Sequence, residues 1–488
     1  MHKLLLLSTI VLAACVGAPS YHAPTVRVAP EYATSATMAL VPTKPDSCPP
    51  ESSAAAPTRS VHYTDAMPVA PFWRTLDDTV LTALIEEALR ANTDIQIATS
   101  RLAGTRAARR LAAFDIVPTV TASGSSVRQQ ASIAQLPGLS RQLPAEQLWD
   151  VGFDASWELD LFGRVSRNVR AQGALVTSAE YGLRDVQVSV ASEVARTYFE
   201  LRGAQQQLDV AQRNADNQRR TVKLTKDRLA AGRGTAFDTE RANSILYLTL
   251  ATMPALETEI ARDRSRIAVL LGRSPDALSS SLAAAGTLPQ LPDTLDIGTP
   301  SNLVRRRPDV LRAERALAAD ELLVGSAKAD YLPRISLGAR LGYTATSFDS
   351  LSRAGTSRLL VGPFVSFPLF DLGRVRQRVD LAQSRADEAR TEHNATVLRA
   401  LEETQVALVN YDRAHARLAI LEDAVRSSQH ASALAQQRFE AGLTDFLQVL
   451  DAERTLLDAE NQLASGHTAA ATALVAVYKA IGGTWPIH

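Results

Sequence analysis

Residues 151–161 read VGFDASWELDL and alternate strictly between apolar and polar side chains. The odd positions carry Val, Phe, Ala, Trp, Leu and Leu, and the even positions carry Gly, Asp, Ser, Glu and Asp. A period of two sends successive side chains to opposite faces of a β-strand. The segment therefore predicts a strand with one apolar face and one strongly polar face.

Three further segments predict strands of related pattern. Residues 335–343, ISLGARLGY, alternate clearly, 361–369 alternate except at Phe364, and a weak strand begins near Thr119. Strands of about nine to eleven residues are long enough to cross a bilayer at a tilt. Four strands cannot close a barrel, since known bacterial barrels start at about eight. A membrane-spanning sheet would therefore need two or three copies of the chain, and the alternative is a soluble sandwich with one solvated face.

Two long stretches, 165–230 and 375–440, contain no proline and are rich in Ala and Arg. As continuous helices they would each extend on the order of 100 Å. Their larger residues recur at a 4-3-4-3 spacing, which favours coiled-coil packing although some members are polar. These residues are Val194, Tyr198, Leu201, Gln205 and Leu208, with Thr404, Leu408, Tyr411, His415 and Leu418 at the same positions 210 residues later.

From about residue 75 onward, one order of predicted elements occurs twice: a helix, two strands, a very long helix, a turn and a long helix. Leu229-Ala-Ala-Gly232 corresponds to Phe439-Glu-Ala-Gly442 at an offset of 210 residues. Self-similarity of this kind indicates two structural repeats. The predicted divisions are a first repeat over 75–272, a linker over 273–300, a second repeat over 301–482 and a C-terminal tail over 483–488.

The turns between the long helices carry recognisable end signals. Gly232 and Gly442 are predicted to end the very long helices as glycines in the left-handed conformation. Thr235 and Asp238 resemble a capping box that starts the first return helix, and Thr444 is the predicted cap of the second. Each turn therefore predicts a helical hairpin.

Two other groups of residues are predicted to have structural roles. Gly163 and Gly373 are expected to allow the sharp passage from strand to helix. Pro308 is expected in the first turn of a helix. The charges next to it, Arg305–Arg307 and Asp309, are expected on a solvated face.

The N-terminus predicts export. Residues 1–14 have the form of a secretory signal peptide, with Lys3 before a short apolar run and small residues before Cys15. Leu12-Ala-Ala-Cys15 resembles a bacterial lipobox, which implies covalent lipid on Cys15. Residues 15–74 are rich in proline and predict an extended, lipid-anchored tether without helix or sheet.

Composition excludes several classes of function. Basic and acidic residues balance at 52 each, so the charge excess typical of a nucleic-acid-binding protein is absent. The eight histidines and two cysteines form no HExxH or Cys/His cluster, and no GxSxG or GxxxxGK motif occurs. We therefore predict no enzyme activity, no metal cofactor and no nucleic-acid partner.

Three segments together resemble one protein family. They are WELDLFGR at 157–164, RRPDVLRAE at 306–314, and GLTDF at 442–446 running on to DAE at 451–453. They resemble the TolC-like outer membrane factors and, with the lipobox, the OprM and NodT branch of efflux lipoproteins. The resemblance covers about 75–482.

The resemblance implies a mixed α/β membrane protein that assembles as a homotrimer. Four strands from each chain would form a 12-stranded outer membrane β-barrel in contact with lipid, continued by a long periplasmic α-helical coiled-coil tunnel. Such proteins are passive exit channels of tripartite efflux pumps, most often of the RND type, for drugs or other small toxic compounds. The implied partners are a periplasmic adaptor, also called a membrane fusion protein, and an inner-membrane pump.

The resemblance also suggests a gate at the hairpin tips. Asp445 matches the tip aspartate of the family, and Asp238 lies near the first tip. Repeated by three-fold symmetry, these carboxylates would form a ring that favours cations and could bind a divalent ion. Arg228 and Arg438, together with Arg233, could pair with them. Alternatively, both aspartates only cap their helices and interact with the helix dipole.

Two other functions remain as alternatives. One is the outer membrane channel of a type I protein secretion system. The other is a non-conducting periplasmic coiled-coil lipoprotein, against which the alternating strands argue. The lipobox and the hairpin tips favour efflux.

Overall fold

The structure is a computed structural model that describes residues 61–66, 71–130, 132, 144–278, 280 and 282–483. Four predictions lie wholly or largely outside these residues: the signal peptide 1–14, the lipidated Cys15, most of the tether 15–74 and the C-terminal tail 483–488.

Long helices dominate the described part of the chain, and strands occur in two places. The strands are β1 (His62–Thr64), β2 (Thr119–Gln129), β3 (Glu146–Leu159), β4 (Thr294–Asp296), β5 (Arg334–Ala345) and β6 (Ser357–Ser366). The helices are α1 (Thr79–Ala91), α2 (Thr93–Ala113), α3 (Arg164–Ala230), α4 (Ala236–Leu270), α5 (Pro300–Arg306), α6 (Pro308–Ala329), α7 (Leu372–Glu440) and α8 (Phe446–Ala480). The very long helices α3 and α7 begin and end within three residues of their predicted bounds. Among the described helices, none combines the length and the apolar composition needed to cross a membrane.

The described residues divide into two compact units. The sheet unit contains residues 100–180 and 312–394, and the helical unit contains residues 61–99, 181–311 and 395–483. The four predicted strands all belong to the sheet unit. The hairpin tips and the predicted coiled-coil positions all belong to the helical unit.

The sheet unit is built on one antiparallel sheet with the strand order β2-β3-β5-β6. Its register is fixed at the centre by a close backbone approach between Gly152 and Gly342, which lie opposite each other. A Cβ added to Gly152 would lie 2.6 Å from the carbonyl oxygen of Leu341, and one added to Gly342 would lie 2.5 Å from that of Val151. Any side chain at either position would therefore push β3 and β5 apart.

The passage from β3 into α3 occurs at Gly163, whose φ of 72° is in the left-handed region, as predicted. Asp160 accepts hydrogen bonds from the amides of Val165 at 3.0 Å and Ser166 at 2.7 Å, and so caps the helix. Partial burial alone would raise the pKa of Asp160, but these amide hydrogen bonds hold it below its ordinary value. The corresponding prediction for Gly373 is wrong, because α7 already begins at Leu372 and Gly373 is helical.

The main core of the helical unit contains most of the predicted coiled-coil positions. Val194, Leu201 and Tyr411 are completely buried in it. Two of the polar positions donate to backbone carbonyls: Gln205 Nε2 to Leu282 at 2.9 Å, and Thr404 Oγ1 to Ala400 at 2.8 Å. The third, His415, is buried and its Nε2 lies 3.3 Å from a carboxylate oxygen of Asp293. The spacing therefore correctly identified the residues that face the core.

A short parallel pairing joins the end of the N-terminal segment to the linker. Residues 62–64 in β1 pair with 294–296 in β4. The hydroxyl of Tyr63 donates to the carbonyl of Leu408 at 3.0 Å, and that of Tyr411 donates to the carbonyl of Pro292 at 2.9 Å. The prediction that the tether forms no sheet is wrong at these residues, because a pairing partner distant in sequence supplies the strand hydrogen bonds.

Arg307 corrects the prediction of a solvated charge cluster. Pro308 does start α6, as expected, but the preceding Arg307 is only 7% exposed. Its guanidinium binds Asp309 through two hydrogen bonds of 3.0 and 2.7 Å. It also donates to Glu403 at 2.7 Å and to the carbonyl of Ala480 at 3.0 Å. One side chain thus joins the start of α6 to α7 and to the last residue of α8.

Replacing Arg307 with Met should destabilise the helical unit by about 3 kcal/mol, because it leaves the half-buried Asp309 without its partner. The matched control is Arg305→Met, since Arg305 is exposed near the end of α5, two residues before Arg307. We expect this control to change stability by less than about 0.5 kcal/mol. The measurement is the shift of the denaturation midpoint, and equal shifts for the two variants would contradict the role of Arg307.

Candidate functional site

The four-stranded sheet has one continuous apolar face. Across its centre, Phe153, Leu341 and Leu359 lie side by side on β3, β5 and β6. Their side chains are 60%, 57% and 72% exposed within the single chain. The face continues through Val120, Val151, Ala155, Trp157, Leu159, Ile335, Leu337, Ala339, Val361 and Val365. This pattern confirms the alternation seen in the sequence and leaves a large apolar surface uncovered in one chain.

The opposite face of the same sheet is polar and carries paired charges. Asp154 accepts a hydrogen bond from Ser123 at 2.9 Å and lies 3.4 Å from Arg340 across the strands. Asp150 accepts from Thr344 at 2.7 Å and pairs with Arg358. At the helix end of β3, Glu158 and Arg164 form an ion pair at 2.6 Å. Asp150, Asp154 and Glu158 of β3 are thus each paired with an arginine.

Phe364, which breaks the alternation of β6, has a local explanation. It lies on the polar face, where its ring covers the backbone of Gly338 on β5. A Cβ added to Gly338 would come within 2.5 Å of that ring. The Phe364 ring thus fills the space on the polar face that a side chain at residue 338 would need.

The hairpin tips contain the two left-handed glycines as predicted. Gly232 has a φ of 69° and Gly442 a φ of 75°. Beyond them, the amide of Arg233 donates to the carbonyl of Arg228, and the amide of Leu443 donates to that of Arg438, both at 2.9 Å. This is the Schellman arrangement, which satisfies the last carbonyls of a helix and turns the chain sharply.

Both candidate gate aspartates cap the return helices. Asp238 and Thr235 form the predicted capping box at the start of α4. Asp445 is the N-cap of α8 and accepts the amide of Gln448 at 3.2 Å. The prediction that Thr444 caps α8 is therefore wrong, because the helix begins one residue later than expected. A structural role is shown for both aspartates, whereas their part in a gate stays a prediction.

The candidate gate arginines contact other groups than these aspartates. Arg228 lies over the ring of Phe439 at 3.8 Å, and that ring packs against Phe446 at 5.3 Å. Within the part of one chain that the structure describes, no ion pair joins Arg228 or Arg438 to Asp238 or Asp445. The cation–π contact links the end of α3 to the end of α7, and so one hairpin to the other. No spacing in the sequence indicates this pair.

An apolar cluster lies directly behind these contacts, and the outermost tip residues are exposed. The cluster consists of Ala215, Val222, Ala242, Leu246, Phe439, Phe446, Val449 and Leu450. In contrast, Phe237 on the first tip is 70% exposed and Leu443 on the second is 71% exposed. Leu229 on the first tip and Leu447 on the second are less exposed, at 39% and 45%. Each tip therefore presents large apolar side chains to the surroundings.

Among the described residues, no group of three or more His, Cys, Asp or Glu side chains could hold a metal ion. The described residues of one chain carry two distinctive surfaces: a sheet with one apolar and one charged face, and a pair of capped hairpins with apolar side chains at their tips.

Comparison with known proteins gives consistent matches over nearly the whole chain. The family model described as Outer membrane efflux protein matches residues 84–273 and 299–483. The chain is 29% identical over 481 residues to Outer membrane protein OprJ of Pseudomonas aeruginosa, covering 98% of this chain and 95% of that protein. It is 28% identical over 488 residues to Antibiotic efflux pump outer membrane protein ArpC of Pseudomonas putida, covering 99% and 95%. The solved structure of the outer-membrane channel OprN matches with a TM-score of 0.85 and 35% identity, over 96% of this chain and 99% of that one.

Proposed function

The chain belongs to the outer membrane efflux protein family, and from this premise we propose that it is the exit channel of a tripartite efflux pump. The family match confirms the predicted resemblance, the predicted efflux role and the predicted outer membrane location. The assembly, the partners and the cargo class are the parts that we propose. The observation that carries the proposal is the sheet with one apolar and one charged face.

Such a sheet suits a barrel made from three copies. The edge strands β2 and β6 each pair on one side only within the described chain. A bilayer tolerates no unpaired sheet edge, so the edges of neighbouring copies would have to pair. Three copies give a closed barrel of twelve strands, with the apolar face toward lipid and the charged face toward a water-filled passage. This supports the homotrimer expected from the sequence.

The long helix α7 also has a surface suited to another copy. Val406, Ile420 and Leu434 are 52%, 57% and 59% exposed in one chain and recur every fourteen residues, with Arg413 and Ser427 at the heptad positions between them. This face of α7 therefore offers separate apolar contact points to a neighbouring chain and no continuous apolar seam. It supports the proposal of a helical tunnel built from three pairs of hairpins.

The proposed partners are a periplasmic adaptor and an inner-membrane pump of the RND class, as the family resemblance implies. In this scheme the pump supplies the energy and the chain supplies a passive route for drugs or other small toxic compounds. The exposed Phe237 and Leu443 at the hairpin tips offer apolar contact points for the adaptor. Lipid attached to Cys15 would add an anchor in the outer membrane.

The proposed gate rests on charge at the tips. Three copies would bring six aspartates, Asp238 and Asp445 from each, to the mouth of the tunnel. Because Asp445 is exposed apart from its capping bond, its charge remains available to ions. A divalent ion could bind there only with carboxylates from more than one copy, since the described residues of one chain hold no such group.

Cells lacking the chain should lose an ethidium-like cationic dye several-fold more slowly than cells that contain it, because the exit route is missing. The measurement is the rate of fluorescence decay after loading, with the intact gene restored as the control. An unchanged rate would contradict drug efflux. Loss of a secreted protein together with an unchanged dye rate would favour type I secretion instead.

Leu341→Arg should prevent barrel assembly, because a charged side chain facing lipid near the bilayer midplane costs about 2–4 kcal/mol in each copy. The matched control is Thr121→Arg, which adds the same charge on the polar face next to Asp154. The measurement is the amount of heat-modifiable oligomer in the outer membrane. Equal yields for the two variants would contradict the assignment of the faces.

Asp445→Asn separates the two roles of this aspartate, because Asn caps a helix about as well as Asp but carries no charge. We expect α8 to remain intact while the preference of the pore for cations falls. The measurement is the reversal potential in a planar bilayer under a salt gradient. Asp423→Asn, which removes an exposed charge from α7, is the control. Unchanged selectivity in the Asp445 variant would leave only the capping role.

A further inference from the structure

The strands and helices of the sheet unit all join at one end of the sheet. Thr119 at the start of β2 pairs with Ser156 near the end of β3. Ile335 at the start of β5 pairs with Leu159 at the end of β3 and with Val365 near the end of β6. The helices α2 and α6 therefore lead into the sheet at this end, and α3 and α7 leave it there.

The apolar face of the sheet continues past the strands onto the end of α2. The indole of Trp157, on the apolar face of β3, donates to the carbonyl of Ile116 at 2.8 Å and so holds the α2–β2 junction beside that face. Around this contact, three large apolar side chains are exposed in the single chain: Leu111, Phe114 and Leu161. The apolar surface thus reaches the last turn of α2.

Arginines follow directly behind this apolar border. Arg109 and Arg110 lie on α2 within about one helical turn of Phe114, and both are exposed. A Cβ added to Gly173 on α3 would lie 3.7 Å from Nε of Arg109, so this arginine lies close to α3. Arg170, also exposed, precedes Gly173 by three residues and thus lies on the same side of α3. We call Arg109, Arg110 and Arg170 the arginine patch.

The arginine patch has no counter-charge in the described part of the chain, where none of its three members forms an ion pair. Neighbouring arginines do have one. Arg106 pairs with Glu180 at 2.8 Å, and Arg164 pairs with Glu158 at 2.6 Å. The acidic side chains near the patch are therefore already engaged by other arginines, and the patch keeps its positive charge.

The second helix–strand–strand–helix set of the sheet unit lacks this excess. Residues 101–118 and 161–179 contain seven arginines against one aspartate, whereas the corresponding residues 316–333 and 371–389 contain five basic residues against seven acidic ones. There, Arg374 pairs with Asp371 at 3.1 Å. Because both sets form the same order of elements, the excess of the first set is not needed to build them. It indicates an anionic partner.

We propose that the arginine patch binds the phosphate of an anionic phospholipid whose acyl chains lie against the apolar face of the sheet. The position of that face in lipid rests on the proposed function. Arginine suits this partner because its guanidinium binds phosphate through two parallel hydrogen bonds. Arg110 lies about 6 Å along the chain axis from Phe114, and the headgroup region on each side of a bilayer is about 5–8 Å thick. With Phe114 at the edge of the hydrocarbon, the patch lies at the depth of the phosphates.

The test is native mass spectrometry of the purified full chain, titrated in detergent with phosphatidylglycerol or with phosphatidylcholine of the same acyl chains. We expect the wild type to bind phosphatidylglycerol more tightly. Each arginine changed to Gln in the patch should weaken this binding about fivefold, the factor equivalent to about 1 kcal/mol per basic group near an anionic surface. The variant with all three changes should bind the two lipids equally.

The matched control is the variant Arg374→Gln, Arg376→Gln and Arg378→Gln, which removes three exposed arginines from the start of α7 at the same end of the sheet. It should keep the preference of the wild type. A second measurement needs no variant: a tenfold increase in ammonium acetate should reduce the preference of the wild type, because salt screens exposed charges.

Three results would overturn the proposal. A wild type that binds both lipids without preference, or a patch variant that keeps the preference, would contradict the role of the arginines and leave the proposed function intact. Displacement of phosphatidylglycerol by an equal concentration of inorganic phosphate would indicate a site for free anions instead of lipid. A wild type that binds neither lipid would contradict the position of the sheet in lipid, and with it the proposed function as well.

Discussion

The proposed assembly depends on a four-stranded sheet whose two outer edges are unpaired within the described chain. Four strands present a continuous apolar face, with Phe153, Leu341 and Leu359 in one row, and a charged face on the other side. The outer edges of β2 and β6 have no partner within the described chain. The apolar face favours lipid and the charged face favours water. In lipid, each sheet edge must pair with a neighbouring strand. In the proposed barrel, insertion of the sheet into the membrane and assembly of several copies would therefore be one physical requirement.

In the helical unit, polar contacts within an otherwise apolar core hold the long helices in place. Arg307 joins three helices through carboxylates and a carbonyl, and Gln205 binds the carbonyl of Leu282 in the linker. Hydrogen-bonded polar groups at core positions fix the relative positions of long helices more specifically than alanine contacts do.

The sequence predicted features that arise from local periodicity and turn chemistry. The alternation at 151–161, the proline-free helices and the left-handed Gly232 and Gly442 were all confirmed. It failed where a distant residue decides the outcome: Arg307 is buried because α7 and α8 supply its partners, and β1 forms because the linker pairs with it. The prediction that Thr444 caps α8 was wrong by one residue, because the N-cap is Asp445. Long-range contacts leave no periodic signal in a single sequence.

The most direct test of this account is an electron cryo-microscopy map of the purified full chain in lipid nanodiscs. We predict three copies that contribute four strands each to a closed twelve-stranded barrel, with Phe153, Leu341 and Leu359 toward lipid and Asp150 and Asp154 toward the passage. A monomer or dimer, or a sheet whose apolar face is buried against other protein, would contradict the account.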